Sequence, residues 1–300
     1  LVAQGGAGGG NQAINSVGGT GGNSNTNLTV TVSGNLTVTS NNTGGDGGVG
    51  SATSGPAGNA NTTINAGNSG ANTTLLVTAT ATGGASQPAN SNPGGNGGNA
   101  NITIIGNHSG SGPTSLIATA IGGSVPGGTG GSGFADVIEG GFGTTVVQSN
   151  AFAGAGATDG QAVAIASGGS FGSNVTIITT ATDTTVGSNA PGIVGGDASG
   201  SGSGTVTSIG NIGNVNGTGR PIAQFTLTAV APLVPLSSTF TRIFGQYSQP
   251  TLNLDHLHTR TQAEFVAAPS SAQSTTALAS KPHVSADFNP AISEDLGLGT

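Results

Sequence analysis

Cysteine, methionine and tryptophan are absent, and the 219 residues before Arg220 contain neither lysine nor arginine. Without cysteine there is no disulfide framework and no thiol-ligated metal. Charged residues make up 5% of the chain, against about a quarter in an ordinary globular protein. Before Arg220 the formal charges are Asp46, Asp136, Glu139, Asp159, Asp183 and Asp197, with His108 the single histidine. Catalysis draws on titratable groups held close together, and such scattered ones point away from an enzyme and from a bound cofactor. A net charge of −7 with no basic patch makes nucleic acid and anionic membrane surfaces poor partners. No apolar run approaches the roughly 18 residues that cross a bilayer, so membrane insertion is not expected. One tyrosine and nine phenylalanines leave few aromatic platforms for sugars. Leu1-Val2-Ala3-Gln4 reads as a processed amino terminus left by a removed secretory signal.

Glycine fills much of the space, at 58 residues, about three times its usual share. Low charge with abundant glycine and serine suits disorder, but disordered chains are also poor in aliphatics. Here 33% of residues are hydrophobic, and many alternate with threonine or asparagine. In Leu28-Thr29-Val30-Thr31-Val32 the aliphatics fall on one face, and Asn35-Leu36-Thr37-Val38-Thr39 repeats the pattern after Ser33-Gly34. Period-two alternation of β-branched residues predicts half-buried strands. Helix is disfavoured, since an interior glycine costs about 1 kcal/mol relative to alanine.

The pattern recurs. Asn59–Ile64, Gly67–Gly70 and Leu75–Thr80 are echoed by Asn99–Ile104, Gly106–Gly110 and Leu116–Ala120. Looser copies run through Leu28–Thr39, Phe134–Ala155, Val163–Thr182 and Val206–Val230. Spacings of about 30 to 45 residues belong to repeat architectures. One two-stranded unit cannot bury its apolar face, whereas stacked units share a continuous core. The expected fold is all-β: an elongated β-solenoid, or a sandwich of repeated two-strand hairpin units, with inward alanine and glycine drawing the sheets together. The uneven repeat length weighs against a regular solenoid. Gly44–Gly50, Gly94–Gly98, Gly127–Gly133 and Gly200–Gly204 read first as flexible surface loops. The second reading is extended polyproline-II-like segments whose backbones touch. The glycines keep no strict every-third-residue period along the chain, which excludes a collagen-like triple helix.

Composition changes at Arg220-Pro221, and all four basic residues, Arg220, Arg242, Arg260 and Lys281, lie from there onward. The expected organisation is a β-repeat domain over residues 1–231 and an extended, proline-containing arm or tail over 232–300. The last convincing strand before it, with Ile222, Phe225, Leu227 and Val230, is the candidate assembly strand. Asn-X-Ser/Thr acceptors include Asn27, Asn35, Asn61, Asn72, Asn101 and Asn174, the candidate glycosylation sites of a secreted protein. Asp46 and Asp197 sit among glycines without the repeated carboxylates that a calcium site needs. Asp255-His256-Leu257-His258 puts two histidines on one side of a strand but offers no evident third ligand. Asp136 and Glu139 are the one close acidic pair.

Taken together, residues 10–231 resemble secreted bacterial surface proteins built of Gly/Ala/Asn/Thr-rich β-repeats, the adhesin passengers and extracellular matrix fibres. The resemblance lies in composition and repeat style. It implies a secreted, extracellular or cell-surface location and a structural role, in a filament, sheath or biofilm-matrix fibre. The expected partner is the chain itself, through β-strand and arm contacts. An adhesin or carbohydrate-binding module, with glycans as partners, is the alternative. The Thr-X-Thr runs also resemble the hydroxyl and methyl grids of insect antifreeze β-solenoids, which implies ice binding as a third reading.

Overall fold

A computed structural model describes residues 1–11, 13–87, 94–158, 160–170 and 173–182 with their side chains, and the backbone alone of Asp183 and of the strands between 193 and 279. The described residues form an all-β structure. In chain order the strands are β1 (Val2–Gln4), β2 (Ser24–Val32), β3 (Leu36–Thr43), β4 (Ala60–Asn68), β5 (Leu75–Thr82), β6 (Ala100–His108), β7 (Thr114–Ile121), β8 (Gly133–Gly141), β9 (Thr145–Phe152), β10 (Ala162–Ser170), β11 (Val175–Asp183), β12 (Ile193–Gly202), β13 (Val206–Asn214), β14 (Ile222–Val230), β15 (Leu236–Phe244), β16 (Thr261–Ala268) and β17 (Thr275–Ala279).

The strands sort by parity into two sheets. The even strands β2 to β14 make a seven-stranded sheet, and the odd strands, completed by β16, make a ten-stranded one. Every strand pairing is parallel except β16–β17. The hairpin form of the two-strand unit is therefore corrected. The two strands of a unit are joined by a turn, but they lie in opposite sheets and pair with the equivalent strands of neighbouring units. Of the segment 232–300, the backbone of β15, β16 and β17 belongs to the ten-stranded sheet.

Alternation decides which side chains face between the sheets. Ala60, Thr62, Ile64 and Ala66 are buried on β4, and Leu75, Val77, Ala79 and Ala81 on β5. Register repeats these columns in the next unit, where Ile104 stands beside Ile64 and Leu116 beside Val77. Of the largest fully buried side chains, Leu75, Leu116 and Ile177 stand toward the turn on the odd strands, and Ile64 and Ile104 lie at mid-strand on the even ones. Alanines line the other end, as with Ala79 and Ala81 of β5 and Ala118 and Ala120 of β7. The core thus narrows along its width.

Where the side chains end, the glycines begin, and here the loop reading is overturned. The segments 44–50, 94–98 and 129–133 are extended and packed, whereas Gly127 keeps the loop reading as an exposed turn residue at φ 84°; of 200–204, residues 203 and 204 lie outside the described residues. In Gly44-Gly45-Asp46-Gly47-Gly48 the third-residue rhythm is local and strict. Gly44 and Gly47 donate to Thr82 and Ala85 in the same layer, at 2.9 Å each. Gly45 and Gly48 donate across to Gly22 and Gly19 of the facing layer at 2.8 Å. Asp46 is exposed. Three residues per turn is the polyproline-II repeat, so each position has its own partner. The cross-layer bonds then run from unit to unit: Gly58 to Gly45, Gly84 to Gly58, Gly98 to Gly84, Gly123 to Gly98, Gly131 to Gly123 and Gly154 to Gly131. A Cβ at Gly84 would overlap the carbonyl of Gly45, and one at Gly98 that of Gly58.

Asparagine adds a second ladder outside the core. Asn101 Nδ2 donates to Asn61 Oδ1 at 2.8 Å, and Asn61 Nδ2 to Asn25 Oδ1 at 2.9 Å. A parallel column joins Asn23, Asn59, Asn99 and Ser132 through side-chain carbonyls that accept backbone N–H groups of the next unit. The uneven repeat length is absorbed in the connections between strands, residues 44–59, 83–99 and 122–132, while the strands keep register.

Gly84→Ala is expected to destabilise the fold by about 3 kcal/mol or more, the cost of overpacking against rigid backbone. Gly6→Ala, where a Cβ meets nothing within 4 Å, should change it by less than about 0.5 kcal/mol. Chemical denaturation of both variants, followed by circular dichroism, checks the contrast.

Candidate functional site

Buried polar side chains collect where each unit turns from its even to its odd strand. Asn68, His108, Gly141 and Ser170 occupy successive strands at one register position. Asn68 closes its turn by accepting from Gly70 N at 3.0 Å and Thr73 Oγ1 at 2.8 Å. His108, 1% exposed, has Nδ1 2.8 Å from Thr114 Oγ1 and Nε2 3.4 Å from Thr73 Oγ1. Burial lowers the imidazole's pKa, which favours the neutral ring. Ser170 Oγ donates to the carbonyl of Gly143 at 2.7 Å, and Thr145 Oγ1 to the same carbonyl at 3.1 Å. These side chains do the work of turn formation.

Glu139 is the exception. It faces inward on β8, 5% exposed, and its register neighbours are Gly106 on β6 and Gly168 on β10. Neither carboxylate oxygen meets a partner at hydrogen-bonding geometry among the described residues. Burial pushes its pKa up to about 7, with the Thr145 hydroxyl and the Gly169 backbone pulling the other way. The paired-acid idea fails on geometry: Asp136 lies three residues earlier on the opposite face, partly exposed. Burial also raises its pKa, and its Oδ1 has no partner among the described residues.

No group of three or more His, Cys, Asp or Glu side chains lies together among the described residues. His256 and His258 lie outside those residues. Along the glycine layer runs an open groove of about 500 Å³. Ser86, Gln87, Val125, Pro126 and Ala157 line it, with no titratable group among the described lining residues. No helix of the described residues is long and apolar enough to cross a membrane.

The candidate glycosylation asparagines separate by what their amides already do. Asn61 and Asn101 spend Nδ2, the atom a glycan would occupy, on the asparagine ladder. Asn35 and Asn72 use Oδ1, accepting from Thr74 N at 3.0 Å and Ser111 Oγ at 2.7 Å. Asn72 has φ 54°, a left-handed turn position that asparagine tolerates. Asn27 is exposed on β2, and Asn174 is exposed just ahead of β11. Ile222, Phe225, Leu227 and Val230 lie on β14, the last strand of the seven-stranded sheet.

The other end of that sheet is the feature that sequence reasoning missed. β2 pairs with β4 and with no other described strand. In the columns where β4 buries Ile64 and Ala66 fully, β2 carries Leu28 and Val30 only half-buried, followed by half-buried Val32. On the ten-stranded sheet, β1 covers β3 only from Asn41 to Thr43, and the Leu1 amine donates to the Thr39 carbonyl at 2.8 Å. Among the described residues the outer row of β2 has no partner strand, and Leu28, Val30 and Val32 beneath it stay half-buried. Comparison of the chain with family models, with curated proteins and with solved structures finds no match.

Glu139 gives this region a signature in pH. The folded carboxyl holds its proton up to about 7, while the unfolded one releases it near 4.5. The folded state therefore binds more protons between those values, and stability falls as pH rises through that window. The loss is about 3 kcal/mol, complete above the folded pKa. Glu139→Gln should flatten that part of the profile and be the more stable protein at pH 8. Urea midpoints measured from pH 5 to 8 on both proteins test this.

Proposed function

We propose that the chain is a structural subunit of an extracellular filament, sheath or biofilm-matrix fibre. In this reading the two sheets and the glycine layer form one β-solenoid that joins further copies through β-strand and arm contacts. One observation carries the reading: the parallel bonding repeats from unit to unit, and in the seven-stranded sheet it reaches β2 and β14, whose outer rows have no partner strand among the described residues. Backbone rows, glycine cross-links and asparagine ladders all repeat along the stacking direction, at about 4.8 Å per unit. Such a lattice has no internal reason to stop, and an uncapped edge recruits strands. The surface supports the reading, because the outward positions of β2 to β5 are almost all threonine or asparagine, with no charge to oppose close approach.

An adhesin is the second reading, favoured by Phe142 and Ile138 of the β8–β9 unit, 50% and 42% exposed. It rests on apolar contact with a glycan, and glycan-array binding would support it. The threonine grid gives ice binding less support. In the column that begins Thr39-Thr78, the next residues are Ile117, Gln148 and Ile178, so hydroxyls do not repeat regularly.

Electron microscopy of the native protein, before any denaturing step, tests the structural reading. Uniform fibres with an axial subunit repeat are expected. Dispersed single particles that sediment as monomers at high concentration would overturn it.

A further inference from the structure

We infer that the open edge of β2 is the docking site for the strand Ile222–Val230 of a second copy, joined in parallel. The inference rests on the fibre reading and names its contact. In a parallel strand, residues alternate in the side to which they turn their N–H and C=O. Ser24 donates to Asn59 on the β4 side, so Asn25, Asn27, Thr29 and Thr31 turn their backbone groups to the open side. All four are exposed.

The choice of partner follows from register. Reading the pairings strand by strand from β2 to β14 puts Asn25, Asn61, Asn101, Phe134, Val163, Gly195 and Gln224 in one column. The same count puts Asn27 with Thr226 and Leu28 with Leu227. Set beside β2 in the register of every other pair in the sheet, β14 of a second copy would put Gln224 at the register position of Asn25. That is where the asparagine ladder ends: Asn25 Oδ1 accepts from Asn61, and its Nδ2 has no described acceptor. Leu227 would arrive beside half-buried Leu28. Both edges are nine-residue strands of one parallel sheet, so the contact joins two different surfaces and repeats without closing. The ten-stranded sheet runs past its partner at both ends, by β1 and by β16–β17. The joint therefore forms with those strands displaced from β3 and β15, which makes them a brake on assembly.

The chain has no cysteine, so single cysteines report the contact cleanly. Asn27→Cys and Thr226→Cys forms of the 300-residue chain are mixed, oxidised and run on a non-reducing gel. Neighbouring register positions are close enough for a disulfide, and the mixed pair should bridge about tenfold more than Ile138→Cys with Thr226→Cys. Adding Thr29→Pro to the Asn27→Cys chain removes an edge N–H and should cut the bridge about fivefold, with circular dichroism unchanged. Gln224→Ala in the other chain should weaken it independently. Equal bridging in the control pair, or none in either, overturns the docking. Fibres without the bridge would overturn it and leave the fibre reading intact. The bridge in material that forms no fibres would support the contact while removing the fibre.

Discussion

Direct contact between backbones is the constraint on which the rest depends. Two layers of chain run through the molecule, and over the β-strands aliphatic side chains hold them apart, at about 10 Å in a typical pair of sheets. Beyond the strands that spacer vanishes, and the layers meet through N–H···O bonds from Gly45 to Gly22 and from Gly84 to Gly58. Only glycine allows such an approach. The alanines at Ala79, Ala81, Ala118 and Ala120 are the transition, narrowing the gap before it closes. Core and glycine layer are thus one continuous taper, and neither could be exchanged alone.

Apart from these glycine cross-links, the parallel strands bond along the stack, so much of the cohesion is between equivalent positions of neighbouring units. Side chains obey the same rule: asparagine bonds asparagine one unit away, and Ile64 packs beside Ile104. Repetition in such a structure is itself the source of stability, since each unit supplies the template for the next. Glu139 interrupts that logic, a long acidic side chain between two glycines in a column that holds alanine at Ala66. Burial there raises its pKa and so favours the protonated carboxyl.

Much of this was legible in the residues. Alternation in Leu28–Val32 and Leu75–Thr82 marks the strands and their inward faces, and the near-copy at residues 59–84 and 99–123 marks the stacking unit. What alternation cannot supply is the partner: a strand, a short turn and a strand read equally as a hairpin or as members of two opposite parallel sheets. Parallel pairing is decided across units, by contacts about forty residues apart. The glycine rows were harder still, because glycine signals freedom as readily as close packing. The distinguishing sign was the phase in Gly44-Gly45-Asp46-Gly47-Gly48, a rhythm of three confined to single rows and lost when the whole chain is counted. The open edge had no local signal at all, since β2 looks like any other strand until its neighbours are known.

The uneven connections have a consequence for how such a chain can vary. The connections over 44–59 and 83–99 are longer than those over 122–132 and 153–161, yet the strands they link stay in step. A Gly-Gly-X triplet is one turn, about 9 Å of added length, and it brings its own partners when a neighbouring row gains one too. Growth in that direction widens the cross-section and leaves the aliphatic core untouched. The molecule therefore has two independent dimensions: its length is written in the number of strand pairs, and its breadth in glycine triplets.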